Sequence, residues 1–328
     1  MTKISRRTFG RAAATALLGL AIPFTALAQS DYPNRPIKMI VSFSAGGTTD
    51  VTARQVAQRL STMFKQPVVV ENKPGAGGTL GTDYVARQPA DGYTLLMTSS
   101  GPVAISPSLS KKLATDPLTE IVPVVLVVDV PNVLVVNPSL PVKTFDELVK
   151  YGKANAGKVN YASTGVGTVA HLAGALFVDR MGLDATHIPY KGADAVTDLM
   201  SGRTQFMFAT LPSVISQIRA GKLRAIAIMA AKRSRTLPDV PTLAEVGMKT
   251  SGAGAWFGLF VAKGTPEPII QKLNAAVNEI LRDKTVIDAF EGLGAEPVGG
   301  TPEEYARKVK SDYEEWKPIV QRSGAASD

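Results

Sequence analysis

An apolar strand, a glycine turn and then an amphipathic helix follow one another several times along this sequence, and this order limits the fold more than any other feature. Residues 36–43 indicate a buried strand, 44–48 a glycine turn, and a helix with apolar residues at helical spacing follows. The same succession returns in 67–87 and in 158–181. Strands that alternate with helices predict an α/β fold in which mainly parallel sheets are flanked by helices.

Two strand-like segments are placed so that they connect two such α/β sets. Residues 121–137 are apolar but interrupted by Pro123 and Pro131, which predicts two strands, one of them crossing between lobes. Residues 256–262 predict a strand that crosses back. We therefore expect a cleft between two lobes joined by a hinge of two crossover strands, with lobe 1 formed by 29–130 plus 253–328 and lobe 2 by 131–252.

The first 28 residues have the features of a cleavable export signal. Four basic residues and no acidic ones accompany an apolar stretch too short to anchor in a bilayer, which ends in the small-x-small sequence Ala26-Leu27-Ala28. Arg6-Arg7 fits a twin-arginine signal, and an ordinary secretory signal is the alternative. Because no cysteine follows that could carry a lipid, we expect a soluble periplasmic protein that begins at Gln29.

Composition removes several classes of function. The chain has no cysteine and only two histidines, His171 and His187, so we expect no disulfide, thiol nucleophile or metal site. The net charge of +8 falls to +4 without the four basic residues of the signal, which is too weak for a nucleic-acid-binding surface. No G-x-S-x-G, H-E-x-x-H or P-loop motif occurs. We predict no cofactor and no catalytic residue.

The glycine turns between strands and helices predict a site for an anion. Peptide N–H groups at a helix N-terminus have no intrahelical acceptor and lie at the positive end of the helix dipole. Hydroxyl groups in the same turns add neutral donors. The candidate ligand-binding residues from these turns are Ser44, Ala45, Gly46, Gly47, Ser99, Ser163, Thr164, Gly167, Thr168 and His171.

Asp50 and His171 each fit two roles. Asp50 lies in the first turn of its helix, where a carboxylate is favoured by the dipole and can order the glycine loop as a cap. His171 follows Gly167 by four residues and is either a donor in the cleft or a buried imidazole. His187 lies inside a predicted strand, and we expect it to be structural.

Enzyme functions are the main alternatives. Residues 165–170 match the G-x-G-x-x-A dinucleotide pattern, but the next strand ends at Tyr190-Lys191 without the acidic residue that binds a ribose. Ser163 with His171 as its base would make a serine hydrolase, although the spacing supplies no orienting carboxylate. A receptor that senses its ligand for a signalling kinase is a third alternative.

Several segments resemble one known family. They are FSAGGTTD at 43–50, VENKPGAGG at 70–78, NYASTGVGT at 160–168, IPYKG at 188–192 and LPDVPTLAEVG at 237–247. Their order and sequence are similar to those of the extracytoplasmic receptors of tripartite tricarboxylate transporters, often called Bug receptors. The resemblance covers essentially the whole chain after the signal.

The resemblance implies a periplasmic-binding-protein-like fold and a non-catalytic, monomeric receptor. In such a receptor 44–47 and 163–168 grip a small organic carboxylate, partly through ordered water, and a membrane permease receives it. This chain reads Phe208-Ala209-Thr210 where many relatives carry an Asp-Asn pair after the Phe. The difference makes Thr210 a candidate ligand-binding residue and favours an organic acid over an amino acid.

Overall fold

The computed structural model describes residues 32–110, 113–248 and 254–322, and the predicted export signal lies outside them. The strands are, in chain order, β1 (Ile37–Val41), β2 (Val68–Asn72), β3 (Thr94–Ser99), β4 (Ile121–Val130), β5 (Asn132–Val136), β6 (Val159–Ser163), β7 (Ala185–Pro189), β8 (Phe206–Thr210), β9 (Arg224–Met229), β10 (Ala255–Ala262) and β11 (Glu296–Gly299). The helices are α1 (Thr48–Phe64), α2 (Thr79–Ala86), α3 (Ser106–Leu109), α4 (Pro117–Glu120), α5 (Phe145–Ala154), α6 (Val169–Met181), α7 (Asp194–Met200), α8 (Leu211–Arg219), α9 (Glu267–Arg282), α10 (Lys284–Gly292) and α11 (Pro302–Arg322).

The strands form two sheets, one in each lobe. The first has the order β11-β4-β10-β3-β1-β2, and the second has the order β7-β6-β8-β5-β9. The chain passes from the first sheet to the second between β4 and β5, which only Pro131 separates. It returns between β9 and β10. The predicted two-lobe α/β architecture is thereby confirmed.

Both sheets are mixed, which corrects the expectation of mainly parallel sheets. β1 pairs in parallel with β2 and β3, and β6 pairs in parallel with β7 and β8. β10 is antiparallel to β3 and β4, β11 is antiparallel to β4, and β5 is antiparallel to β8 and β9. The antiparallel pairs involve the strands that run between the lobes, because these strands enter each sheet against the direction of its βα units.

The local sequence explains where helices begin. At α5 the Thr144 hydroxyl accepts a hydrogen bond from the Glu147 amide at 3.2 Å, while the Glu147 carboxylate accepts one from the Thr144 amide at 3.3 Å. This is the capping box that the sequence predicts. The same exchange between Thr301 and Glu304 precedes α11. No described helix combines the length and the apolar character needed to cross a membrane.

One strand in each sheet is fully buried and begins beside the cleft. β10 lies between β3 and β4 and is buried at every residue. β5 lies between β8 and the edge strand β9 and is also buried throughout. Central, buried strands are the parts of a domain that open least. The cleft is therefore bordered in each lobe by a strand that has a neighbour on both sides and is buried along its whole length.

The lobes touch across the cleft at positions where glycine allows the backbones to approach. A Cβ added at Gly165 would lie 2.9 Å from the Cα of Gly77, and one at Gly101 would lie 3.0 Å from the carbonyl oxygen of Gly167. A Cβ added at Gly77 would overlap the carbonyl oxygen of Val166. Side chains at these positions would hold the lobes apart.

The substitution Gly77→Ala should prevent full closure of the lobes. Gly221→Ala is the matched control, because Gly221 has φ of +69° against +64° at Gly77 but no atom within 4 Å of an added Cβ. Both variants should lose roughly 1–2 kcal/mol of stability from the left-handed backbone conformation. Only Gly77→Ala should increase the radius of gyration in small-angle X-ray scattering. An unchanged radius in Gly77→Ala would contradict the described contact.

Candidate functional site

A cavity lies between the lobes, next to the carboxyl ends of β1, β3, β6 and β8. Ligands of open α/β sheets bind at such strand ends. The cavity volume is about 60 Å³, several times the roughly 10–15 Å³ that one water needs, which suits a small molecule. The lining consists of Phe43, Gly47, Thr48, Thr49, Ser99, Ser100, Gly101, Ala255 and Phe257 from the first lobe and Asn132, Thr164, Thr168, Val169, Ala170, Gly192, Ala193, Val196, Met207, Thr210 and Ser213 from the second.

The N-terminus of α1 meets the cavity from the first lobe. Gly47 is the N-cap residue, and no side chain of the described residues caps this end of the helix. Thr48 and Thr49 are the first two helical residues, and both line the cavity. Amides of a first helical turn have no intrahelical acceptor. Those of α1 are therefore available as donors to a molecule in the cavity.

The N-terminus of α6 meets the cavity from the opposite lobe. The Thr168 hydroxyl caps it by accepting a hydrogen bond from the His171 amide at 3.3 Å. Val169 and Ala170 precede His171 in the same turn and line the cavity. Because α1 has 17 residues and α6 has 13, each carries a full helix dipole with its positive end at the cavity.

The lining combines neutral hydrogen-bonding groups with apolar side chains. Among the described residues that form it, none has an acidic or basic side chain. An anion in this space meets two positive helix ends and no carboxylate that would repel it. Hydrogen bonds from neutral donors to an ionised acceptor contribute about 1.5–3 kcal/mol each. The arrangement is that of an anion-binding site.

Two hydrogen bonds join the lobes at this cavity. The hydroxyls of Thr48 and Thr210 lie 2.7 Å apart, and the Ala193 amide donates to Ser44 Oγ at 3.0 Å. Ser44 also lies against Gly192, where an added Cβ would overlap its hydroxyl. The lobes are therefore closed around the cavity.

Comparison with known proteins decides the family. A family model described as "Tripartite tricarboxylate transporter family receptor" matches residues 52–325. The chain belongs to this family. Protein BugT of Bordetella pertussis is 43% identical over 312 residues, which cover 94% of this chain and 95% of BugT.

Solved structures of similar receptors have the same fold. The periplasmic binding protein BugD is 38% identical, with a TM-score of 0.87 over 90% of this chain and 100% of BugD. A protein of R. palustris solved with adipate is 34% identical, with a TM-score of 0.87 over 89% of this chain and 98% of that protein. These findings confirm the predicted resemblance to Bug receptors and the prediction of a receptor, not an enzyme.

In this receptor the Asp50 carboxylate holds the glycine loop beside α1. It accepts hydrogen bonds from the Gly46 amide and Arg54 Nε, both at 3.0 Å, and from Asn72 Nδ2 at 2.9 Å. Burial alone would raise the pKa of Asp50, but these hydrogen bonds outweigh burial and lower its pKa. The carboxylate stays ionised within the loop and is not part of the cavity lining.

The histidines lie in the interior of the second lobe. Ser163 Oγ is 2.7 Å from His187 Nε2, so the neighbour of Ser163 is His187 and not the His171 of the hydrolase alternative. His171 Nδ1 accepts from the Gly167 amide at 3.3 Å, and the two imidazoles stack at 4.1 Å. Burial lowers the pKa of His171, and burial together with His171 lowers the pKa of His187 from 6.5 to about 4. Within the described part of the chain, no three potential metal ligands cluster.

The structure divides the predicted ligand-binding residues into two groups. Gly47, Ser99, Thr164, Thr168 and Thr210 line the cavity. The remaining candidates are outside the lining: Ser44 bonds across the cleft, Ala45 and Gly46 are exposed, and Ser163, Gly167 and His171 are buried around their own hydrogen bonds.

Several lining residues were missed by the sequence reasoning. Phe43 and Phe257 give the cavity an aromatic part, and Gly192 and Ala193 bring the start of α7 to it. Asn132 is the clearest omission. A signal for it exists, because Asn132 is the one polar residue in the buried run NVLVV that follows Pro131.

The substitution Asp50→Asn should loosen the glycine loop. The amide of the variant cannot form the ion pair with Arg54, and its hydrogen bonds lack the ionic contribution. We therefore expect the free energy of unfolding to fall by about 1–2 kcal/mol. Asp146→Asn is the control, because Asp146 lies in the first turn of α5 but is exposed; it should change stability by less than about 0.5 kcal/mol. Urea unfolding at neutral pH measures both, and equal losses would refute this role of Asp50.

Acidification below pH 6.5 should destabilise the receptor through His187. Its pKa is lower in the folded than in the unfolded state, so the unfolded state binds the proton more readily, and stability falls as the pH drops from 6.5 towards about 4. His187→Gln can keep a hydrogen bond to Ser163 but cannot be protonated. Urea unfolding across this pH range should show a shallower fall for the variant, whereas identical slopes would contradict the assignment.

Proposed function

We propose that the chain is an exported solute-binding receptor that captures a small organic carboxylate between its lobes and delivers it to the membrane permease of a tripartite transporter. The observation that carries this proposal is the convergence of the α1 and α6 N-termini on a closed cavity whose described lining has no charged side chain. The relative solved with adipate, a dicarboxylate, supports the ligand class.

The proposed mechanism couples binding to closure. A carboxylate has two oxygens, and each accepts hydrogen bonds. One group can therefore bridge amides of α1 and α6 only when the lobes are together. A ligand with more contacts in the closed form shifts the population towards it. Pro131 and the return segment between β9 and β10 are the two connections about which the lobes would rotate.

The location and the lobe boundaries belong to the same proposal. Residues 1–28 would direct export, by the twin-arginine route, to the periplasm, where the receptor acts as a soluble monomer. Lobe 1 would comprise 29–130 plus 253–328 and lobe 2 131–252. Sheet membership supports this division, because β4 and β10 lie in the first sheet and β5 and β9 in the second.

A thermal-shift screen with mono-, di- and tricarboxylates tests the function. A ligand at 100 times its Kd adds about 2.7 kcal/mol to stability, which should raise the melting temperature by roughly 5–10 °C for a protein of this size. Thr164→Asp places a carboxylate in the half-buried cavity wall. Repulsion over about 5 Å at an effective dielectric constant near 20 amounts to roughly 3 kcal/mol, so affinity should fall about a hundredfold.

Thr164→Asn is the matched control for that variant, because it has the same shape without the charge. It should bind the same acids within a few-fold of the wild type. The proposal fails if no carboxylate shifts the melting temperature, and the site is misplaced if the Asp and Asn variants bind equally well.

A further inference from the structure

Four of the nine polar side chains that line the cavity already have partners within the protein. The hydroxyls of Thr48 and Thr210 bond to each other at 2.7 Å. Thr168 Oγ1 donates to the Gly165 carbonyl at 2.8 Å, and Ser213 Oγ donates to the Thr210 carbonyl at 2.7 Å. These side chains maintain the walls and contribute little free hydrogen-bonding capacity to a ligand.

Among the other five, Asn132 and Ser100 are the two whose polar side-chain atoms are fully buried. Asn132 is 1% exposed, and neither its Nδ2 nor its Oδ1 has a hydrogen-bond partner among the described residues. Ser100 Oγ is also buried without such a partner. Both line the cavity, Ser100 from the first lobe and Asn132 from the second. Leaving a buried polar group unpaired is costly, so these atoms are expected to pair with what the cavity binds.

The fold holds Asn132 firmly in this place. It is the first residue of β5, which lies between β8 and β9 in the second sheet, and it lies directly opposite Thr210 of β8. Side chains opposite each other on antiparallel strands share one face of the sheet. Asn132 is thus on the face whose Thr210 hydroxyl reaches the first lobe through Thr48.

The amide of Asn132 determines which ligand group fits. It offers N–H donors and a carbonyl acceptor side by side. Carboxylate oxygens only accept, so an unsubstituted acid can pair with Nδ2 but leaves Oδ1 without a donor. A hydroxyl on the acid supplies that donor. An ammonium group would also donate, but no carboxylate in the described lining balances its charge.

We propose that Asn132 selects the ligand of this receptor, and that it selects small carboxylates bearing a hydroxyl group, which donates to Oδ1 while a ligand oxygen accepts from Nδ2. Ser100, which both donates and accepts, completes the polar part of the cavity. This inference rests on the proposed carboxylate-binding function.

Isothermal titration of the wild-type receptor with matched pairs of acids tests the selection. The pairs are lactate and propionate, malate and succinate, and 2-hydroxyglutarate and glutarate. In every pair that binds, the hydroxylated acid should bind about tenfold or more tightly, because losing a partner leaves Oδ1 buried and unpaired. If acids bind without this preference, the inference alone is overturned. If no acid binds, the proposed function fails and the inference fails with it.

Asn132→Leu removes the amide at nearly constant volume. It should abolish the preference within each pair. Because the hydrogen bond from Nδ2 is lost as well, the affinity for unsubstituted acids should also fall, but by less than the affinity for the hydroxylated acids. Without ligand its melting temperature should rise by a few degrees, because an unpaired buried polar group is replaced by an apolar one. A lower melting temperature or a retained preference would overturn the assignment, and the wild-type titrations decide the matter if the variant does not fold.

Asn155→Leu is the matched control. Asn155 is half-buried at the C-terminal end of α5, donates to the Tyr151 carbonyl at 2.9 Å and lies outside the cavity lining. This variant should keep the wild-type preference for hydroxylated acids. A preference that disappears in both variants would refute a specific role for Asn132.

Discussion

In the proposed mechanism, closure of the lobes depends on the peptide N–H groups at the start of α1 and α6, which need an acceptor. When these two helix ends meet without an anion, their positive poles repel and donors near the cavity lack partners, and both effects oppose closure. An anion bound between the helix ends would offset their repulsion and accept hydrogen bonds from the free amides. Capture of a ligand and movement of the lobes would then be a single process. The glycines at the lobe contact allow the close approach, and Asp50 holds the loop before α1 through its hydrogen bond to Gly46.

In the proposed site the backbone amides would provide affinity for a carboxylate, and side chains would select among carboxylates. The amides at a helix end are fixed by the helix and can donate to any carboxylate of suitable size. They need no lysine or arginine, whose long side chains would lose rotamer freedom when ordered. Selection then falls to the few side chains that face the rest of the ligand. Among the described lining residues, the fully buried polar atoms without a partner belong to Asn132 and Ser100.

The sequence predicted the units of the fold and their division into two lobes, but not how the crossing strands pair. The glycine turns before α1 and α6 and the capping box of α5 depend on neighbouring residues and are visible in the sequence. The antiparallel pairing of β5 with β8 and of β10 with β3 depends on how strands that are distant in sequence insert into the sheets.

The site shows the same limit. Ser163 meets His187 because β6 and β7 pair in a particular register, whereas the sequence distance favoured His171. Ala45 and Gly46 are outside the lining because Asp50 draws the loop towards itself. The sequence shows that Asn132 is polar, but only the packing of β5 between β8 and β9 shows that its amide is buried at the cavity.

The single-residue link at Pro131 has a mechanical consequence. β4 ends at Val130 and β5 begins at Asn132, so the hinge proposed at Pro131 would lie one peptide away from a wall of the cavity. Displacements close to a fulcrum are magnified with distance from it. A small difference in the position of a ligand against Asn132 would therefore produce a larger displacement of the outer edges of the lobes. A membrane protein that binds the outer edges of both lobes could therefore distinguish ligands with which it makes no contact.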